Sequence, residues 1–188
     1  MPTITLKDKI ILYEEEYRKI KNPRLEFKAQ GLKVFLPFGY KKGAADLIVS
    51  HSSWVYKNAL LFEEIFSSLS DLPLNRFFPR NKFLDLARDT AGKYAAELKL
   101  SLAVVKIRSM RARWGSCNCR DTVTLNARLR FLPLRFLCYV AFHEVLHLRY
   151  RNHGKRFRAC MRNRFPDHKN IDRQLFSYDL LLKKENLV

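Results

Sequence analysis

The sequence predicts an α+β fold: a small mixed or antiparallel sheet packed on a buried helix, with flanking helices and an N-terminal β-hairpin region. Three observations carry this. Residues 24–36 read as a hairpin, with Leu25-Glu26-Phe27 and Val34-Phe35-Leu36 flanking a Gln30-Gly31 turn. Residues 122–130 alternate with period two, placing Val123, Leu125, Ala127 and Leu129 on one side and Thr122, Thr124, Asn126, Arg128 and Arg130 on the other. The segment after Pro133 is apolar almost all round as far as about Tyr150, so a helix formed there has no solvated face and is buried.

The remaining elements follow in order. Residues 10–20 are ambiguous between strand and helix, and residues 37–43 are loop. Ser52-Ser53 can cap a helix running to about Leu69, with Trp54, Ala59, Leu60, Phe62 and Ile65 as an approximate stripe. Leu72-Pro73-Leu74 and Phe78-Pro79 interrupt, and Asn81 caps a second helix to about Leu98. Residues 102–107 read as a buried strand. Pro133 opens the buried helix where its missing N–H costs nothing. A short helix with Phe157, Cys160 and Met161 follows Gly154, and a last helix carries Leu175, Phe176, Tyr178, Leu180 and Leu181. The expectation is one domain over residues 1–188, with a β-rich segment over residues 1–50, a helical segment over 51–100, a catalytic core over 101–165 and a C-terminal helix over 166–188.

Composition narrows the classes. Hydrophobic residues make up 47% of the 188, with fourteen Phe, so a core forms without staples. The longest apolar run, residues 136–142, is far too short to span a membrane. The first twenty residues hold no sustained apolar segment or small-residue cleavage site, so a cytoplasmic protein is expected. Cys117, Cys119, Cys138 and Cys160 lack paired C-x-x-C spacing and read as reduced thiols. Net charge is +18 and unevenly placed: residues 101–173 hold 17 Lys/Arg against 4 Asp/Glu, whereas residues 1–100 hold 17 against 12. Such a field draws in nucleic acid or acidic polypeptide in a salt-dependent way.

That basic segment contains His143-Glu144-Val145-Leu146-His147, with His153 six residues on. Four residues apart on a helix, His143 and His147 reach one ion from one face. Glu144 is placed not to ligate but to take a proton from a metal-bound water, the general-base role in metal-assisted hydrolysis. On an unbroken helix His153 would lie ~9 Å beyond His147 and on another face. It ligates only if the chain turns, and Asn152 and Gly154 are the residues expected to supply left-handed angles for that turn. Three imidazoles and an open position describe a catalytic zinc. Asp167 or Asp172 is the alternative third ligand. These residues read as a zinc hydrolase with one Zn²⁺.

Met110-Arg111-Ala112-Arg113-Trp114-Gly115-Ser116-Cys117, then Leu125-Asn126, Tyr139, the His-Glu-x-x-His run and His153-Gly154-x-x-Phe157 together resemble the YgjP-like metallopeptidases. These are zincin-fold proteins related to the SprT and Wss groups. The resemblance is close over residues 100–165 and weaker over the N-terminal hairpin region and Trp54. It implies zinc held by His143, His147 and His153, Glu144 as the catalytic carboxylate, and a polypeptide substrate. Metzincins share the histidine spacing but turn at a glycine three residues past the second histidine, where this chain has Tyr150. Arg113, Trp114, Gly115, Ser116, Asn126 and Tyr150 are candidate supports of the site. Residues 122–130 are the candidate edge strand on which an extended peptide pairs. Tyr150, Arg151 and His168 are candidates for steadying an oxyanion, a role the sequence leaves unassigned. Three rival readings remain: a protease acting on protein bound or crosslinked to nucleic acid, which the basic surplus suits, a metal-stabilised binding module without catalysis, and a hydrolase of a non-peptide amide.

Overall fold

The computed structural model describes residues 1–28, 31–118 and 121–187; Gln30 of the expected turn and Cys119 lie outside them. The chain divides into two compact units, Met1–Ser68 and Leu69–Val188. The fold is α+β, as the sequence predicts. Among the described residues, no helix is long and apolar enough to cross a membrane.

The first unit holds a four-stranded mixed sheet of β1 (Thr3–Leu6), β2 (Lys9–Arg18), β3 (Arg24–Lys28) and β4 (Gly31–Pro37), in the order β1-β2-β4-β3. β3 and β4 form the expected antiparallel pair, Leu25 opposite Val34. Gly31 enters β4 at φ +116°, where a side chain would be strained. The ambiguous segment is a strand: β2 pairs parallel to β4, Tyr13 opposite Leu32. Leu32, Val34 and Leu36 of β4 are buried in one cluster with Ile48 of α1 (Ala44–Ser50) and Val55 of α2 (Ser52–Ser67). The helix expected from Ser52 is present, but its N-cap is His51 and neither serine caps it.

The second unit begins with a 3₁₀ turn at Leu69–Asp71 and then α3 (Arg80–Glu97). Pro79 is the N-cap of α3, its φ of −64° and ψ of 140° leading into the helix, so Asn81 already lies inside and caps nothing. A three-stranded mixed sheet follows: β5 (Val104–Arg108), β6 (Gly115–Cys117) and β7 (Thr122–Asn126), in the order β5-β7-β6. α4 (Leu134–Leu146) packs on β6, β7 and α3, and α5 (Lys155–Arg164) and α6 (His168–Lys184) complete the unit.

Two expectations are corrected here. The alternating segment 122–130 is a strand only to Asn126; Ala127–Phe131 is a 3₁₀ turn. The Asn126 side chain causes the break by accepting the Arg128 amide at 3.1 Å, which caps the turn. Arg128 is therefore buried rather than on a polar face. Moreover, β7 is the middle strand, parallel to β5 and antiparallel to β6. The edge is β6.

Candidate metal centre

α4 is buried along most of its length, and His143 lies in its last turn. The helix stops at Leu146, four residues short of the expected end, with His147 as its C-cap. Leu148 and Arg149 donate back to the carbonyls of Val145 and Leu146 at 3.0 and 3.1 Å, tight three-residue bonds that swing the chain off the helix axis. The expected reversal thus occurs without a left-handed residue: neither Asn152 nor Gly154 has positive φ. Gly154 instead is the N-cap of α5, extended at φ −65° and ψ −176°.

The reversal brings three ring nitrogens together. His153 Nε2 lies 3.0 Å from His143 Nε2 and 3.1 Å from His147 Nε2. The three are the one set of His, Cys, Asp or Glu among the described residues arranged to hold a metal ion. Phe157 of α5 stacks on or abuts all three rings, with centroid separations of 4.9, 4.7 and 4.7 Å, and forms an apolar floor. His147 Nδ1 donates to the Tyr150 carbonyl at 2.9 Å, which fixes the tautomer whose Nε2 lone pair faces the other two rings. Arg158 Nη1 donates to the His153 carbonyl at 2.7 Å and pins that residue. Burial, then the neighbouring imidazoles, hold His143 down at about 4, and burial also lowers His147, so both stay neutral and able to ligate.

The donor set fits zinc. Tetrahedral bonds of ~2.0–2.1 Å would space the nitrogens ~3.3–3.4 Å apart, a shift of a few tenths of an ångström from the separations present. The alternative third ligands are placed otherwise. Asp172 accepts the Tyr139 hydroxyl at 2.7 Å, and Asp167 is the N-cap of α6.

Glu144 points off the same helix end into a cavity of about 620 Å³ that also receives His143, His147, His153 and all of β6. Glu144 is 7% exposed, and burial pushes its pKa up to about 7 against the opposing charge of Arg113. Gly115 lies directly against it: a Cβ on Gly115 would stand 2.6 Å from both Glu144 Cγ and Oε1. The glycine is there to admit the carboxylate.

Of the other candidate supports, Arg113, Trp114 and Ser116 line the cavity, as does Arg151; Tyr150 acts through its main chain, and His168 stands outside the lining. Asn126 is fully buried behind β6 and organises the preceding loop. Its Nδ2 donates to the Met110 and Arg113 carbonyls at 2.6 and 2.7 Å, and its amide donates to the Trp114 carbonyl at 2.8 Å. Arg128 adds bonds to the Met110 carbonyl (2.9 Å) and Asp179 (2.7 Å), and lies 4.8 Å from the Trp114 ring centre. Sequence reasoning picked out Phe157 in the run after His153 but not its role as the floor, and it missed Asp179 as the Arg128 partner, a contact absent from any local pattern. Replacing Asp179 by alanine leaves a guanidinium that is 4% exposed without its counter-charge. The expected cost is about 2–3 kcal/mol of stability, lower than for a fully buried pair because Asp179 is partly solvated. Urea unfolding checks it; a loss below about 0.5 kcal/mol would mean the pair does not hold the loop.

No curated protein matches the chain. Among solved structures, the metallopeptidase zymogen jannalysin of Methanocaldococcus jannaschii is similar over 48% of this chain and 87% of its own, at 22% identity and a TM-score of 0.44. The model of the YgjP-like metallopeptidase domain matches residues 74–178, more than half of the sequence and the whole of the histidine and glutamate constellation described above. A match of that extent over the loop, helix and turn that build the site places this chain in the YgjP-like metallopeptidase family.

Proposed function

We propose that this protein is a zincin-type, zinc-dependent peptidase in which His143, His147 and His153 hold one ion and Glu144 is the general base. The observation that carries this is the meeting of three imidazole nitrogens beside a buried carboxylate in one open cavity. Zinc, when bound, polarises a carbonyl oxygen and lowers the pKa of its water. Glu144 takes the proton at its carboxylate and returns it to the leaving nitrogen. A carboxyl raised toward neutrality by burial suits both halves of that task.

The substrate belongs on β6. The ladder to β7 uses the Trp114 carbonyl and the Asn118 amide, so by alternation the main-chain groups of Gly115 and Cys117 face away from β7. An extended peptide can pair there, next to Glu144, with its backbone doing most of the positioning. This replaces segment 122–130 as the pairing edge.

The chain loaded with one equivalent of zinc is expected to cleave an unstructured protein, to stop on chelation and to resume when zinc is restored. Zinc bound with no cleavage of any unstructured protein would leave the binding-module reading in its place. A second reading, a protease acting on nucleic-acid-bound protein, draws on the exposed Lys155, Arg156, Arg158, Arg162 and Arg164 of α5, which follows directly on His153. A DNA titration across a salt series separates the two: no affinity at low salt removes it.

A further inference from the structure

Arg113 lines the cavity that holds Glu144 and the three histidines, and its side chain is exposed. Among the described residues its guanidinium has no hydrogen-bond, ion-pair or ring partner. Other arginines of this unit are committed: Arg128 to Asp179, Arg149 to the Leu98 carbonyl and Arg158 to the His153 carbonyl. Yet the main chain beneath Arg113 is held by several bonds. Its carbonyl accepts from Asn126 Nδ2, the next carbonyl accepts from the Asn126 amide, and Arg128 lies over the Trp114 ring. The root is clamped, and the head, which makes no bond of its own, acts only by its charge on the buried Glu144 carboxyl.

A guanidinium with no bonded partner is a planar fork of donors matched to a carboxylate. It is poorly suited to steadying an oxyanion, which needs donors already fixed in a water-excluded site. Of the other charges facing the cavity, Glu144 is buried and feels Arg113 without bonding to it, Arg151 has the same sign as Arg113, and Asp172 is engaged by Tyr139. Asp121 follows the far end of β6, whereas Arg113 precedes its near end. A peptide along β6 therefore meets positive charge at the Arg113 end.

We propose that Arg113 is a specificity-determining residue that captures a carboxylate of the peptide lying along β6. The proposal rests on the peptidase reading. The carboxylate has two sources, an Asp or Glu side chain or the α-carboxylate of a peptide C-terminus.

The test measures binding of fluorescent peptides to the whole, zinc-loaded chain carrying Glu144→Gln, so that peptides stay intact. The peptides carry Glu, Gln or Lys at successive positions, with free or amidated C-termini. The expected result is a roughly five- to tenfold tighter binding of one carboxylate-bearing peptide than its neutral counterpart at low salt, weakening as salt is added. Glu-against-Gln dependence assigns the side chain, and sensitivity to amidation assigns the C-terminus. Adding Arg113→Gln should erase the preference, and Arg113→Glu should shift it toward Lys-bearing peptides. Equal binding of all peptides overturns the proposal, as does a preference that survives Arg113→Gln. Cleavage by the unsubstituted protein is scored separately: if no peptide is cut, the peptidase reading fails, while the binding ratios still decide the role of Arg113.

Discussion

Glu144→Gln is expected to lower peptide turnover about a thousandfold while leaving one zinc per chain. The size follows from removing the group that moves the proton in both halves of the reaction, a contribution of roughly 10²–10⁴ for a positioned acid–base residue. Zinc should be retained because the carboxylate is not part of the histidine set. The amide keeps the volume and shape of the side chain, so it fills the same space against Gly115. It also removes an ionisable group from a site 7% exposed, where burial disfavours the charged form, so the melting temperature should hold or rise. Metal analysis, a melting curve and turnover of an unstructured protein give the three readouts. Turnover within a factor of ten of the unsubstituted chain would reassign the base, and loss of zinc would mean that Glu144 belongs to the ligand set after all.

What could be read from the sequence divides along one physical line. His143, Glu144 and His147 are related by helical spacing, a local property that any helix at that segment delivers. The hairpin β3–β4 was legible for the same reason. His153 could be anticipated as a partner because its spacing demands a turn, but not the form of the turn. The helix ends in i→i−3 bonds at Leu146, and Gly154 begins the next helix instead of closing the last. The alternation of residues 122–130 misled because Asn126 bonds to its own chain two residues on, and because Asp179, fifty-one residues away, makes burial of Arg128 tolerable. β6 was out of reach. Three residues carry no periodicity, and their position at the edge is fixed only by the pairing of β7 with β5.

Gly115→Ala is the sharpest test of how β6 and α4 build the site together, with an expected loss of about a hundredfold in turnover. Gly115 has no left-handed φ, so alanine is tolerated by the backbone and the whole effect is steric. The added Cβ would stand 2.6 Å from Glu144 Cγ and Oε1 and 2.8 Å from Cδ, against an ordinary contact of roughly 3.5–4.0 Å. Relief cannot come from the tip of the carboxylate alone, because Cγ is struck as well. Either Glu144 adopts another rotamer or β6 retreats from α4. Both displace the base by about 1 Å relative to a peptide held on β6, and a misplacement of that size is worth about 10² in rate. The three histidines have no part in this contact and are held by Phe157, the Tyr150 carbonyl and Arg158, so zinc binding should not change. That combination, full metal with crippled turnover, separates a positioning role for Gly115 from general damage to the centre. An alanine variant as active as the parent would show that the carboxylate works from a place other than its seat against β6, and the assignment of β6 as the substrate edge would fall with it.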